Sequence, residues 1–140
     1  MRGSSPFTIL EQTFGLLSAE PYPLAIDGGQ LGTGVPARQF PIGELRSIVV
    51  DPRASQDLKA AIIETVVSHL RQERATWVVV LGGLLLPAMR RLADQIPPCR
   101  GQAPAGHIEA ELLSRLLLAT RRPPPDTQRF AMRLLEHARE

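Results

Sequence analysis

The chain has little cysteine, few aromatics and almost no lysine. Cys99 is the one cysteine in 140 residues. That excludes an internal disulfide and a cysteine-clustered metal site, and it makes a reducing cytoplasm the expected location. Aromatic residues make up 4% and hydrophobic residues 44%, so leucine, valine, isoleucine and alanine must build the core. Long apolar runs are missing too. The most apolar window, Trp77 to Met89, has thirteen residues, whereas a bilayer-spanning helix needs about 20. This window reads as a helix buried in a water-soluble core, and no membrane partner is expected. No basic segment followed by an apolar one stands near Met1, so no signal peptide is expected. Sixteen basic and fourteen acidic residues leave a net charge of +2, too even for a strongly nucleic-acid-binding module.

Catalytic patterns are also lacking. The glycine-rich segment Asp27 to Gly34 does not end in Gly-Lys-Ser/Thr and opens no helix, so it reads as a hairpin turn rather than a phosphate loop. His107-Ile108-Glu109-Ala110-Glu111 lacks the second histidine of a zinc helix. Its glutamates instead suit the positive end of their own helix dipole. His69 and His137 have no adjacent nucleophile or carboxylate pattern and read as helix-surface or boundary residues. No nucleophile elbow or triad order is present. The sequence therefore assigns no catalytic residue, no metal ligands and no cofactor.

What is present is helical periodicity. A short helix is expected from Thr8 to Ser18, capped by Thr8 and ended by Pro21 and Pro23. Two short extended pieces, Leu24 to Asp27 and Ala37 to Phe40, form a small hairpin around the glycine turn. Pro41 suits the first position of a helix carrying Ile42, Leu45, Ile48 and Val49 up to Val50. From Ser55 the chain reads as four helices. The first, Gln56 to Arg74, has Leu58, Ile62, Val66 and Leu70 spaced by four. The second buries Trp77, Leu81, Leu84, Leu85, Ala88, Leu92 and Ile96. Pro87 cannot serve the Gly83 carbonyl, which predicts a bend between Gly82 and Pro87, and the two glycines predict a close neighbour. Pro97 and Pro98 stop this helix, and Cys99 to Gly106 is a loop. The third helix spans His107 to Thr120. Pro123 to Pro125 form a stiff connector, and Asp126 caps a fourth helix bearing Phe130, Leu134 and Ala138. The fold class is thus mainly α: a compact bundle of about four helices over residues 55–140, with a short helix and a β-hairpin over residues 1–54 packing on it.

The last helix resembles part of region 2 of bacterial RNA polymerase sigma factors. Phe130, Leu134, Ala138 and Arg139 match the family pattern Phe-x-x-Trp-Leu-x-x-Ile-Ala-Arg, with Arg133 at the tryptophan position and His137 at the isoleucine position. Glu109-Ala110-Glu111 and Leu113 are similar to the acidic start of the polymerase-docking helix, whereas Leu112, Arg115 and Leu116 depart from it. The likeness extends over residues 56–139 at most. It implies a helical fold and a link to transcription. The aromatics that would stack on melted DNA are missing.

Fifteen of the sixteen basic residues are arginine, and Lys59 is the exception. Arginine's planar fork favours bidentate pairing with carboxylate or phosphate. Residues 101–140 hold six arginines, of which Arg121, Arg122, Arg129 and Arg133 are the candidate nucleic-acid contacts. An ion pair between Arg133 and Glu136 is the competing expectation for that face. Three readings follow. The first is a non-catalytic regulatory module acting on a protein partner, associated with transcription, which predicts an exposed apolar patch. The second is direct DNA binding through the arginine-rich final helices, which predicts clustered arginines and a steep salt slope. The third is a small enzyme or ligand-binding domain with a pocket near Gly82 to Pro87.

Overall fold

Ser5 opens the first helix, α1 (Pro6–Leu17), by accepting the Thr8 amide on its hydroxyl. Pro6 takes the first turn, where a missing N–H costs nothing. The cap therefore lies three residues before the expected Thr8. The structure, a computed structural model, describes residues 5–19, 21, 23–95 and 105–138. Ile96, Pro97, Pro98, Cys99 and Arg139 lie outside the described residues, as does most of the expected loop that follows Pro98.

Strands β1 (Ala25–Asp27) and β2 (Gln39–Pro41) pair antiparallel, with Ile26 opposite Phe40. The intervening segment is longer than a tight hairpin turn. It begins with one 3-10 turn, Gly28–Gln30, which the Asp27 carboxylate holds by accepting the Gly29 amide at 3.0 Å. Gly28 is required there, because the Pro36 carbonyl and the Phe40 ring occupy the space of a Cβ. The Leu24 carbonyl accepts the Ile42 amide, which joins the hairpin to α2 (Ile42–Val50). Pro41 is the cap of that helix and not its first residue.

Ser55 caps α3 (Gln56–Leu70) through a 3.1 Å bond from the Leu58 amide. The expected continuation to Arg74 is interrupted by a turn at Arg71-Gln72-Glu73, and Arg74 instead begins α4 (Arg74–Gln95). Helix α5 (Ala105–Ala119) starts two residues before the expected His107, so Ala105 and Gly106 are helical rather than loop. Helix α6 (Pro124–Ala138) contains two of the three connector prolines. Their fixed φ is already helical and their missing N–H groups fall in the first turn. Asp126 consequently sits inside the first turn, where it favours the dipole, and not at the cap.

Helix α4 is the axis of the fold and packs against each of α1, α2, α3, α5 and α6. Trp77, Leu81, Leu84 and Leu85 are all buried, as their spacing predicts. Phe7 and Phe14 from α1, Ile26 from β1 and Leu45 from α2 belong to the same core cluster as Ile62, Val66, Leu84 and Ala131. The described part of residues 5–54 thus shares one core with the later helices. By length and composition alone α4 is able to cross a membrane; 56% of its most apolar window is buried inside the fold. The helix is longer than the apolar run because Arg74 to Thr76 and Arg90 to Gln95 extend it at both ends.

The two expectations about the middle of α4 involve α1 at the glycine and α2 at the proline. The Phe14 ring lies where a Gly83 Cβ would stand, so the glycine admits α1 at close range. The helix continues through Pro87 without a break. The Gly83 carbonyl that Pro87 cannot serve is reached by Arg46 of α2, whose Nη1 lies 3.4 Å away. The same guanidinium donates to both oxygens of Glu11 at 2.8 and 2.9 Å and lies 4.5 Å from the centre of the Phe14 ring. Arg46 therefore ties α1, α2 and α4 together at the proline. Its hydrogen bonds hold the Glu11 carboxyl below the usual carboxylate range, with burial opposing them. A depressed carboxyl stabilises the fold above its unfolded pKa and loses that contribution as pH falls through the folded value. The stability gap between the parent and Glu11→Gln is expected to be constant above the ordinary value of 4.5 and to shrink below it. Urea titrations across that range check this; a gap that widens on acidification would refute it.

Candidate anion-binding groove

The turns α3–α4 and α5–α6 meet at one end of the molecule. They are joined by Arg74, whose guanidinium donates to the Thr120 carbonyl at 3.1 Å and to the Thr120 hydroxyl at 2.7 Å. This cation sits at the carboxyl end of α5, where the helix dipole favours positive charge. The Thr120 hydroxyl donates to the Leu117 carbonyl at 2.7 Å, and the buried Thr127 hydroxyl donates to the Ala119 carbonyl at 2.6 Å. The α5–α6 corner is thereby held by side chains that also satisfy the last carbonyls of α5.

Between these two turns lies a groove of about 620 Å³, bounded by Val67, Leu70, Pro123 and Pro124 and by four arginines, Arg71, Arg74, Arg121 and Arg122. Among the described residues, none of the four forms an ion pair with a carboxylate. The positive charge of the groove is therefore not neutralised from within. Pro124 and Pro125 open α6 and carry no N–H. The usual anion-binding amides of a helix start are thus missing there, and the groove's attraction for anions comes from guanidinium groups.

Of the four sequence-predicted arginines, Arg121 and Arg122 line this groove and Arg129 and Arg133 do not. Arg129 pairs with Asp126 at 3.2 Å. Among the described residues that is the ion pair formed on α6, and the one expected between Arg133 and Glu136 is not formed. Arg133 is exposed. Arg71 and Arg74 were not singled out by sequence, because some fifty residues separate them from Arg121 and Arg122. The missed signal is their position either side of a helix break.

The glutamates of the 107–111 segment serve other ends than expected. Because α5 starts at Ala105, neither Glu109 nor Glu111 falls in its first turn, against the dipole expectation; Glu109 instead accepts the Phe7 amide at 3.0 Å and stabilises the start of α1. Glu111 pairs with Arg115 at 3.2 Å. His69 stacks on Trp77 with ring centroids 4.3 Å apart. Among the described residues no group of three or more His, Cys, Asp or Glu is placed to hold a metal ion.

Two further features bear on the competing readings. Leu117 and Leu118 on α5 are 47% and 60% exposed. Leu118 lines a smaller depression with Arg115 and Arg122, so apolar surface adjoins the arginine groove. Beside Pro87 lies a cavity of about 320 Å³ whose wall includes Lys59 and Arg91. The sequence marked Lys59 only as a compositional exception, although its spacing of three and four from Ile62 and Ile63 places it on the buried stripe of α3. No family model, curated protein or solved structure matches this chain.

Proposed function

We propose that the chain is a non-catalytic module that binds an acidic segment of a protein partner in the groove between the α3–α4 and α5–α6 turns. The observation that carries this reading is a groove bounded by four arginines that, among the described residues, have no carboxylate partner. The apolar part of the lining, Val67, Leu70, Pro123 and Pro124, and the exposed Leu118, which shares a depression with Arg122, suit a peptide carrying both carboxylates and aliphatic side chains. Such a mixture of an apolar centre and arginine is typical of protein interfaces. The likeness of the later helices to region 2 of sigma factors makes a transcription component the class of partner to examine first.

DNA suits the groove less well. No aromatic side chain lines it to stack a base. Arg129, which would extend a phosphate-tracking stripe along α6, is committed to Asp126.

Fluorescence anisotropy with a labelled peptide of alternating glutamate and leucine, run beside a labelled DNA duplex, tests the proposal. The peptide is expected to bind, Arg121→Glu with Arg122→Glu to abolish binding, and Arg129→Ala with Arg133→Ala to leave it unchanged. Absence of peptide binding, or equal loss with both pairs, overturns it. DNA binding whose salt slope flattens by roughly two units in the Arg129→Ala, Arg133→Ala variant would establish the nucleic-acid reading instead.

A further inference from the structure

The lining of the arginine groove holds no carboxylate and no carboxamide. Its hydroxyls, those of Thr120 and Thr127, belong to buried residues, and each donates its proton to a carbonyl of α5. The polar side chains left on the wall are guanidinium groups. Glu73 in one turn and Asp126 just after the other are bonded elsewhere, to the Thr76 hydroxyl at 3.0 Å and to Arg129 at 3.2 Å. The helix dipoles do not offset the positive charge either. Helices α3 and α5 end at these turns, and α4 and α6 begin there. Their end charges, roughly half a unit each and of opposite sign, cancel. Arg74 is already fixed by its two hydrogen bonds to Thr120, so a ligand that meets it costs little further side-chain ordering.

We infer that the acidic group recognised in this groove is a phosphorylated serine or threonine of the partner, an inference that rests on the groove's binding an acidic protein segment. A carboxylate brings one negative charge and is saturated by a single guanidinium fork. A phosphate monoester brings a charge of about −1.5 to −2 at neutral pH and three strong acceptor oxygens. Arginines reach this one groove from two turns, Arg71 and Arg74 from one and Arg121 and Arg122 from the other. A group with three oxygens is able to accept from both turns at once. It also offers no donor when fully ionised, which suits a wall without free carboxylates. Val67, Leu70, Pro123 and Pro124 take the aliphatic neighbours of the modified residue. A recess of this kind fits a projecting side chain better than the plane of a lipid surface.

Fluorescence anisotropy on the full chain compares two labelled peptides of alternating glutamate and leucine, one with a central phosphoserine in place of a glutamate. The phosphopeptide is expected to bind about tenfold or more tighter, the factor that one added charge-assisted hydrogen bond supplies. Arg71→Gln, at an exposed position, is expected to erase most of that advantage, and Arg129→Ala to leave it intact. Inorganic phosphate alone should shift the methyl resonances of Thr120 and Thr127 and not those of Ala88 and Leu135. Equal affinity for the two peptides, an advantage that survives Arg71→Gln, no phosphate-induced shift at Thr120, or tighter binding to phosphatidate vesicles than to the phosphopeptide would each overturn the inference. Equal affinity leaves the acidic-segment proposal standing, whereas loss of both peptides removes both. Binding of the phosphopeptide alone supports the phosphate assignment and removes the carboxylate one.

Discussion

Leu84→Ala is expected to lower the free energy of unfolding by about 2–5 kcal/mol, the range for emptying a close-packed aliphatic site. Leu84 is fully buried, and so are Leu81, Leu85 and Leu86 around it on α4. Because α4 touches every other helix, a void there has no loose neighbour to collapse into it, and the loss should fall in the upper half of that range. Urea denaturation reads the effect as a lowered midpoint with an unchanged slope. A loss below about 1 kcal/mol would mean that the site relaxes in a way its burial does not suggest.

Gly83→Leu should cost stability for the opposite reason, too much volume. The Phe14 ring occupies the space of the first carbon of any side chain at this position. Phe14 is itself 1% exposed, and the Arg46 guanidinium lies over its ring. Neither helix can yield without disturbing the contacts among Glu11, Arg46 and the Gly83 carbonyl. A loss of at least about 1–3 kcal/mol is expected, and even Gly83→Ala should be destabilising. Gly82→Ala is the control. Its Cβ would press on Leu10 methyls at 3.2 and 3.3 Å, the far end of a flexible side chain, and meet Leu116 Cδ2 in ordinary contact at 3.6 Å, so its cost should be clearly smaller. Combining Gly83→Ala with Phe14→Ala should cost less than the sum of the two changes, since removing the ring removes the clash.

These two residues show which parts of the molecule are legible in the sequence. Leu84 was readable because burial on a helix repeats every three or four residues and needs no knowledge of partners. Gly83 was half readable. Its lack of a side chain announced a close approach, and only the fold could name Phe14, some seventy residues earlier. Breaks written in proline or glycine were found to within a few residues, whereas the turn at Arg71-Gln72-Glu73, which contains neither, was read as helix. Pro124 and Pro125 read as connector because proline usually ends helices, although it also starts them well. Glu109 shows the same limit for function. Its local setting pointed to its own helix dipole, and its hydrogen-bond partner is 102 residues away. The groove was visible by half, through Arg121 and Arg122. Its other arginines become neighbours only when α3, α4 and α5 are packed.

The near-absence of lysine has a consequence for control. The one ε-amine of the chain belongs to Lys59, enclosed at 3% exposure. Every other basic side chain apart from the histidines is an arginine, whose charge does not titrate in water below about pH 12. Enzymes that acetylate, methylate or attach ubiquitin to lysine therefore find no exposed acceptor side chain on this protein, and moderate changes of acidity leave its guanidinium charges intact. An acidic segment bound in the groove as proposed would meet a field that neither lysine modification nor moderate acidity changes.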